Sequence, residues 1–186
     1  MADERQHRTY VNTQQTRTSG PILSHTTLRH AHAYDDHRLA DFFMSLSSDT
    51  LYLRYFTPRP PHTIESAWLE AQRLVHSDDS INVLLATACA DGEEHIIGIA
   101  ELVRSHSNTT NIETALIVTD IYQGQGIGRM LCGQLVDLMV EQGVSQVHAV
   151  VLPENTRMRR LIDRIGFTYT SRFQDGALFF CFTPHA

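Results

Sequence analysis

Val118-Thr119-Asp120-Ile121-Tyr122-Gln123-Gly124-Gln125-Gly126-Ile127-Gly128-Arg129 joins an apolar run to a long helical pattern. The run before it, Asn111–Val118, reads as a strand. The segment Gly124–Gln142 reads as a helix that starts from a Gly-rich turn, with Ile127, Leu131, Leu135 and Leu138 on its apolar side. Glycines at alternate positions bare the backbone, so its N–H groups can approach a phosphate closely. The start of a helix adds unpaired N–H groups and a partial positive charge, and Arg129 adds a formal one. Other phosphate turns fit worse. G-x-x-x-x-G-K-[ST] needs a Lys-Ser or Lys-Thr that does not follow, and G-x-G-x-x-G fails because Arg129 holds the third glycine's place. A plain loop is disfavoured, because each glycine would cost about 0.5–1 kcal/mol in regular structure.

Upstream, residues 1–20 are polar and aperiodic and read as a flexible tail ending at Gly20-Pro21; residues 21–186 read as a single domain. A strand is expected over Ile22–Arg29. Leu39, Phe42, Phe43 and Leu46 follow helical spacing and predict a helix over 34–46. A short helix follows, capped by Ser48 or Asp49 and burying Leu51, Tyr52, Tyr55 and Phe56. Pro58, Pro60 and Pro61 break the pattern. Thr63 caps a third helix whose stripe is Ile64, Ala67, Trp68, Ala71, Leu74 and Val75. Ile81–Ala90, His95–Arg104 and Asn111–Val118 form a meander, with Asp91-Gly92 as a hairpin turn and Ser105–Thr110 as the second reversal. Downstream come a buried strand, Val147–Leu152, a helix Asn155–Ile165 ended by Gly166, and a strand pair around Asp175-Gly176. The order predicts a mixed α/β (α+β) fold, with a mostly antiparallel central sheet flanked by helices. A doubly wound nucleotide fold would alternate strand and helix from the start.

The chain has 186 residues, a formal charge of −6 and 42% hydrophobic residues. This suits one globular domain and does not suggest a nucleic-acid binder. Cys89, Cys132 and Cys181 are scattered, which reads as reduced thiols in a cytoplasmic protein. No signal peptide or membrane-crossing apolar run is visible.

The turn Gln123-Gly124-Gln125-Gly126-Ile127-Gly128 resembles the Q/R-x-x-G-x-G/A signature of the GNAT acetyltransferases. Val150-Val151-Leu152-Pro153-Glu154-Asn155-Thr156-Arg157-Met158-Arg159-Arg160-Leu161-Ile162-Asp163-Arg164-Ile165-Gly166-Phe167 resembles that family's V-x-x-x-N-x-x-A/M-x-x-L-x-x-x-x-G-F segment. Leu51–Phe56 and Glu113–Val118 look like GNAT domains of bacterial protein lysine acetyltransferases. The resemblance implies a GNAT-type acyl-CoA N-acyltransferase fold over roughly residues 22–183. It also implies acetyl-CoA, or another short acyl-CoA, as cosubstrate, and a small-molecule amine or protein lysine as acceptor. Backbone of Ile117 and Val118 would meet the pantetheine arm in a gap between Asn111–Val118 and the next parallel strand. Gln123, Gly124, Gln125, Gly126, Gly128 and Arg129 would surround the pyrophosphate. Asn155 sits where the family's asparagine contacts CoA, and it equally suits a helix cap.

An amine attacking a thioester must lose a proton, a task for a carboxylate. Glu113 is the first candidate: it lies in the strand leading to the site, and the resemblance to the lysine acetyltransferase subfamily places it at that subfamily's catalytic glutamate, ten residues before Gln123. A glutamate buried in an apolar strand without purpose would be costly. The alternative is a solvated strand end. Glu101 is the second candidate, with a solvent-facing position as its plainer reading. Many GNAT enzymes have a tyrosine where this chain has Ile162, which leaves the acid for the CoA thiolate unassigned and keeps a non-catalytic acyl-CoA-binding domain as the alternative. His30, His32 and His37 show no metal-ligand spacing, and no metal is expected. Cys132 reads as a buried thiol. Arg157, Arg159, Arg160 and Arg164 suit either the 3′-phosphate of CoA or a solvated helix face.

Overall fold

The computed structural model describes residues 25–57, 63–76, 80–90, 92–104 and 112–183. The expected tail, the Pro58–Pro61 break and the Ser105–Thr110 reversal lie outside these residues. The elements are β1 (Thr26–His30), α1 (Asp36–Ser45), α2 (Ser48–Tyr55), α3 (Ile64–Val75), β2 (Ile81–Ala90), β3 (Glu93–Arg104) and β4 (Ile112–Val118). Then follow α4 (Ile127–Glu141), β5 (Val147–Val151), α5 (Thr156–Ile165), β6 (Thr168–Gln174) and β7 (Ala177–Thr183). The strands form one sheet in the order β1-β2-β3-β4-β5-β7-β6. Every neighbour pair is antiparallel except β4 and β5, which run parallel. The order and the mixed α/β class agree with the expectation.

Alternation along the strands divides the core. Leu84, Ala86, Ala100, Leu102, Ile112, Val118, Val147 and Val151 pack with Ile127, Leu131 and Leu135 of α4. Val83, Leu85, Ile99 and Ile117 pack with Leu39, Phe42 and Phe43 of α1 and Ala67, Ala71 and Leu74 of α3. Each fully buried Leu, Ile or Phe side chain contributes about 1.5–3 kcal/mol, so the two faces together hold the helices to the sheet. Ile97 is the extra residue of a bulge: Gly98 pairs Ala86 and Ile96 pairs Thr87. Such a bulge sharpens the local twist.

Local chemistry sets the helix ends, with some differences from expectation. The cap of α2 is Ser47, whose hydroxyl accepts the Thr50 N–H, rather than Ser48 or Asp49. A residue one earlier puts its oxygen over the first free N–H groups. Thr63 caps α3 as expected. Ile64, the first residue of α3, is not part of the buried stripe, being 74% exposed. Phe56 likewise leaves the buried side of α2, because it ends the helix at φ 59. The helix expected from Gly124 begins only at Ile127, since Gly124 (φ 76) and Gly126 (φ 95) adopt a left-handed backbone that no helix continues.

A buried ion pair ties β1 to the start of α1. Asp35 is 0% exposed. It accepts two hydrogen bonds from Arg29, at 2.7 and 2.8 Å, and one from the His32 N–H at 2.8 Å. Burial raises the Asp35 carboxyl, but the Arg29 guanidinium and the His32 N–H outweigh it and hold it below the usual carboxylate range.

Candidate active site

The parallel pair defines the site. β3 and β4 stay in register from Gly98↔Val118 to Arg104↔Ile112, whereas β4 and β5 share the single register pair Glu113↔His148. Both residues lie at the starts of their strands. The strands therefore part toward their C-terminal ends, the usual place for a ligand where parallel strands diverge. Their edges line one cleft, together with the Gly-rich turn and the start of α5.

The turn closes the wide end. Among the described residues, no protein acceptor is recorded for the backbone N–H groups of Gly124, Gln125, Gly126, Ile127 and Gly128. The first backbone bonds resume at Arg129 and Met130, both to the Gly126 carbonyl. Free N–H groups at a helix start form a ready anion cradle. Arg129, Arg157, Arg160 and Arg164 rim the same cleft, a local positive field on a chain of net charge −6. Gly128 has a packing role as well: a Cβ there would stand 3.2 Å from Leu161 Cδ2 of α5, so its smallness lets α4 and α5 approach.

Gln123 is a strut. Its amide donates to Thr50 Oγ1 at 3.0 Å and to the Val118 carbonyl at 2.9 Å, and its oxygen accepts from Arg157. Asn155 caps α5, accepting the Met158 N–H at 3.0 Å. Ile162 is 5% exposed and packs in the core. Burial pushes the Cys132 thiol up to about 12, in keeping with an inert thiol.

Glu101 departs from its plainer reading, and Glu113 takes the solvated one of its two alternatives. Glu101, read as solvent-facing, is 3% exposed. It lies on the α1/α3 side of β3, where Arg54 of α2 reaches it at 2.6 Å and Arg73 of α3 at 2.7 Å. The two guanidiniums permit that burial. Arg73 also holds Glu70, at 2.7 and 3.0 Å, and Glu70 accepts the Tyr55 hydroxyl at 2.9 Å. Glu113 is exposed, so the cost of an idle buried charge does not apply to it. It shares the face of Ala115 and Ile117, at the narrow end of the cleft.

Asp120, which no local signal marked, links the turn to α2. Its carboxylate accepts the Ser47 N–H at 2.9 Å, the Ser47 hydroxyl at 2.6 Å and the Thr50 hydroxyl at 2.7 Å. Burial raises this carboxyl, but the Ser47 and Thr50 donors prevail and lower it. Asp120→Asn turns one oxygen into a donor facing donors. It is expected to cost about 1–2 kcal/mol in denaturant unfolding and to weaken any anion held by the turn. Unchanged stability together with unchanged anion binding would contradict this linkage. Neither Asp120 nor Arg73, Glu70 and His148 was legible as a site residue, because their partners lie far away in the chain.

The model of the acetyltransferase (GNAT) domain family matches residues 25–168. The acetyltransferase Pat of Mycolicibacterium smegmatis is 38% identical over 123 residues, covering 66% of this chain and 35% of that protein. The chain thus spans about a third of that relative's length. The crystal structure of the GNAT domain of S. lividans PAT superposes with a TM-score of 0.71 at 25% identity, over 85% of this chain and 90% of that one. The spermidine N-acetyltransferase from Vibrio cholerae, solved with CoA and spermine, shares the fold: TM-score 0.65, 18% identity, 87% of this chain and 96% of that one. The parted parallel strands, the open N–H turn and these matches lead to one conclusion: the chain belongs to the GNAT acetyltransferase family.

Proposed function

We propose that the protein transfers the acetyl group of acetyl-CoA to a primary amine by direct attack in a ternary complex, with a protein lysine as the first acceptor class to test. The observation that carries this reading is the run of N–H groups from Gly124 to Gly128, without a protein acceptor among the described residues, at the mouth of the β4–β5 cleft. The likeness to acetyltransferase Pat and to the S. lividans PAT domain supports the lysine acceptor. A polyamine, as taken by the more distant V. cholerae enzyme, is the second class.

In this reading Gly124, Gln125, Gly126 and Gly128 offer backbone N–H groups to the pyrophosphate, with Arg129 beside them and Gln123 bracing the turn from below. Ile117 and Val118 offer backbone to the pantetheine arm, and Asn155 orients the start of α5. At about 3.3 Å per residue, the β4 edge from Val118 to Glu113 is roughly 16 Å long. An extended pantetheine arm, about a dozen single bonds of about 1.5 Å, has comparable reach, which brings the thioester to Glu113. Glu113 then takes the amine's proton. Glu101 is a poor base, because both its oxygens are already held by guanidiniums.

Acetyl-CoA at 100 times its Kd should stabilise the protein by about 2.7 kcal/mol, read as a rise in melting temperature. Thiol release should then follow on adding a lysine peptide or spermidine. No shift would refute the cofactor site. A shift without thiol release from any amine would favour a non-catalytic acyl-CoA-binding domain.

A further inference from the structure

The reaction above leaves one proton without a donor. The departing CoA thiolate must be protonated, and the position of the family's tyrosine is held by buried, apolar Ile162. Of the tyrosines and the thiol in and beside the cleft, two hydroxyls are engaged by carboxylates, and Tyr122 and Cys132 belong to the α4 side of the sheet. Tyr55 donates to Glu70, and burial raises its hydroxyl far above its usual range. Tyr52 donates to Glu154 at 3.2 Å. Tyr122 packs against the α4 core, and the Cys132 thiol is raised to about 12.

His148 stands apart from these. It is the β5 member of the single β4–β5 register pair, opposite Glu113. Paired parallel strands lie about 4.8 Å apart, and register partners project to the same face. That face is fixed by the core: Val147 and Val151 point toward α4, so His148 points the other way, as Glu113 does. Its β7 partner on that face is Cys181, a thiol that burial raises. His148 is half-buried and lines the cleft. Imidazole is the side chain that ordinarily gives and takes protons near neutrality.

We propose that His148 is the acid that protonates the leaving CoA sulfur, an assignment that rests on the acetyl-transfer reading of this site. The acceptor arrives as an ammonium and gives its first proton to Glu113. Its nitrogen lone pair forms the C–N bond, and the C–S bond breaks with its electron pair on sulfur. The His148 imidazolium protonates that sulfur. The second proton shed by the new amide nitrogen restores the imidazolium, and Glu113 releases its proton to water. One ammonium and one thioester thus give one amide, one thiol and one free proton. The narrow end of the cleft places a base and an acid on adjacent strands, one for each side of the bond being exchanged.

The test is His148→Gln, with His148→Asn as a second variant and unfolding curves for both. Each is assayed with acetyl-CoA and with its selenoester analogue, using a lysine peptide as acceptor. The selenol is far more acidic than the thiol, so its anion leaves without help. Acetyl-CoA affinity is expected to be unchanged, kcat with acetyl-CoA to fall about 100-fold, and the loss with the selenoester to shrink to a few-fold. Equal losses with both donors, or no loss with acetyl-CoA, would overturn the assignment while leaving the transferase reading intact. If the wild-type protein fails to bind acetyl-CoA, or binds it without releasing thiol, the transferase reading falls and this proposal falls with it.

Discussion

Glu113→Gln is expected to lower kcat by about 10²–10⁴-fold, the usual range for losing a general base, while the Kd for acetyl-CoA stays the same. The side chain sits where the two parallel strands meet, and in the proposed reading the length of the β4 edge would bring the thioester to it. It is exposed, so exchanging its carboxylate for an amide leaves packing and stability nearly unchanged. Glu101→Gln should behave differently. It removes the shared counter-charge of Arg54 and Arg73, so its main effect should be on unfolding. Stopped-assay thiol release and acetyl-CoA titration on the two variants separate the roles. Wild-type turnover in Glu113→Gln would end its candidacy as the base.

The largest stability loss is expected from Arg29→Met. Asp35 has no solvent exposure and keeps two short bonds to Arg29; the other cation, Arg38, stands 3.9 Å away. Stranding a buried charge costs about 3–5 kcal/mol. The remaining Arg38 and the partial exposure of Arg29 argue for the low end, about 3 kcal/mol. At about 2–4 °C per kcal/mol for a chain of this size, the melting temperature should drop by about 6–12 °C. Arg29→Met combined with Asp35→Asn should recover part of this, because no charge is then buried. The pH dependence has a definite sign. In the wild type the Asp35 carboxyl is lowered, so its contribution is present above the ordinary carboxylate range and is lost as pH falls through the lowered value. In Arg29→Met burial is opposed only by the His32 N–H and the more distant Arg38, so the carboxyl should rise relative to the wild type, and the penalty is largest near neutrality and is relieved by protonation. The gap between the two proteins should therefore narrow from about pH 7 to about pH 5. Denaturant curves showing the gap widen on acidification would refute the account.

What was legible in the residues was local. The Gly-rich turn, the caps at Thr63 and Asn155, the hairpin Asp175-Gly176 and the three strand runs of the meander each depend on neighbours a few positions away, and all appear in the structure. The misjudged positions depended on distant partners. Glu101 read as solvent-facing because nothing nearby announced two arginines from other helices. The α2 cap moved to Ser47, where the hydroxyl also meets Asp120, far along the chain.

The order of elements, the site of the turn and the family resemblance were thus settled by the chain's own pattern, because backbone conformational preference and hydrophobic period act over a few residues. Three features belonged to the tertiary structure alone: which glutamate is open and which is clamped, which face His148 shares with Glu113, and what braces the turn. Each arises from strands and helices that meet only once the sheet has assembled, and such pairings leave no mark on the spacing of residues along the chain.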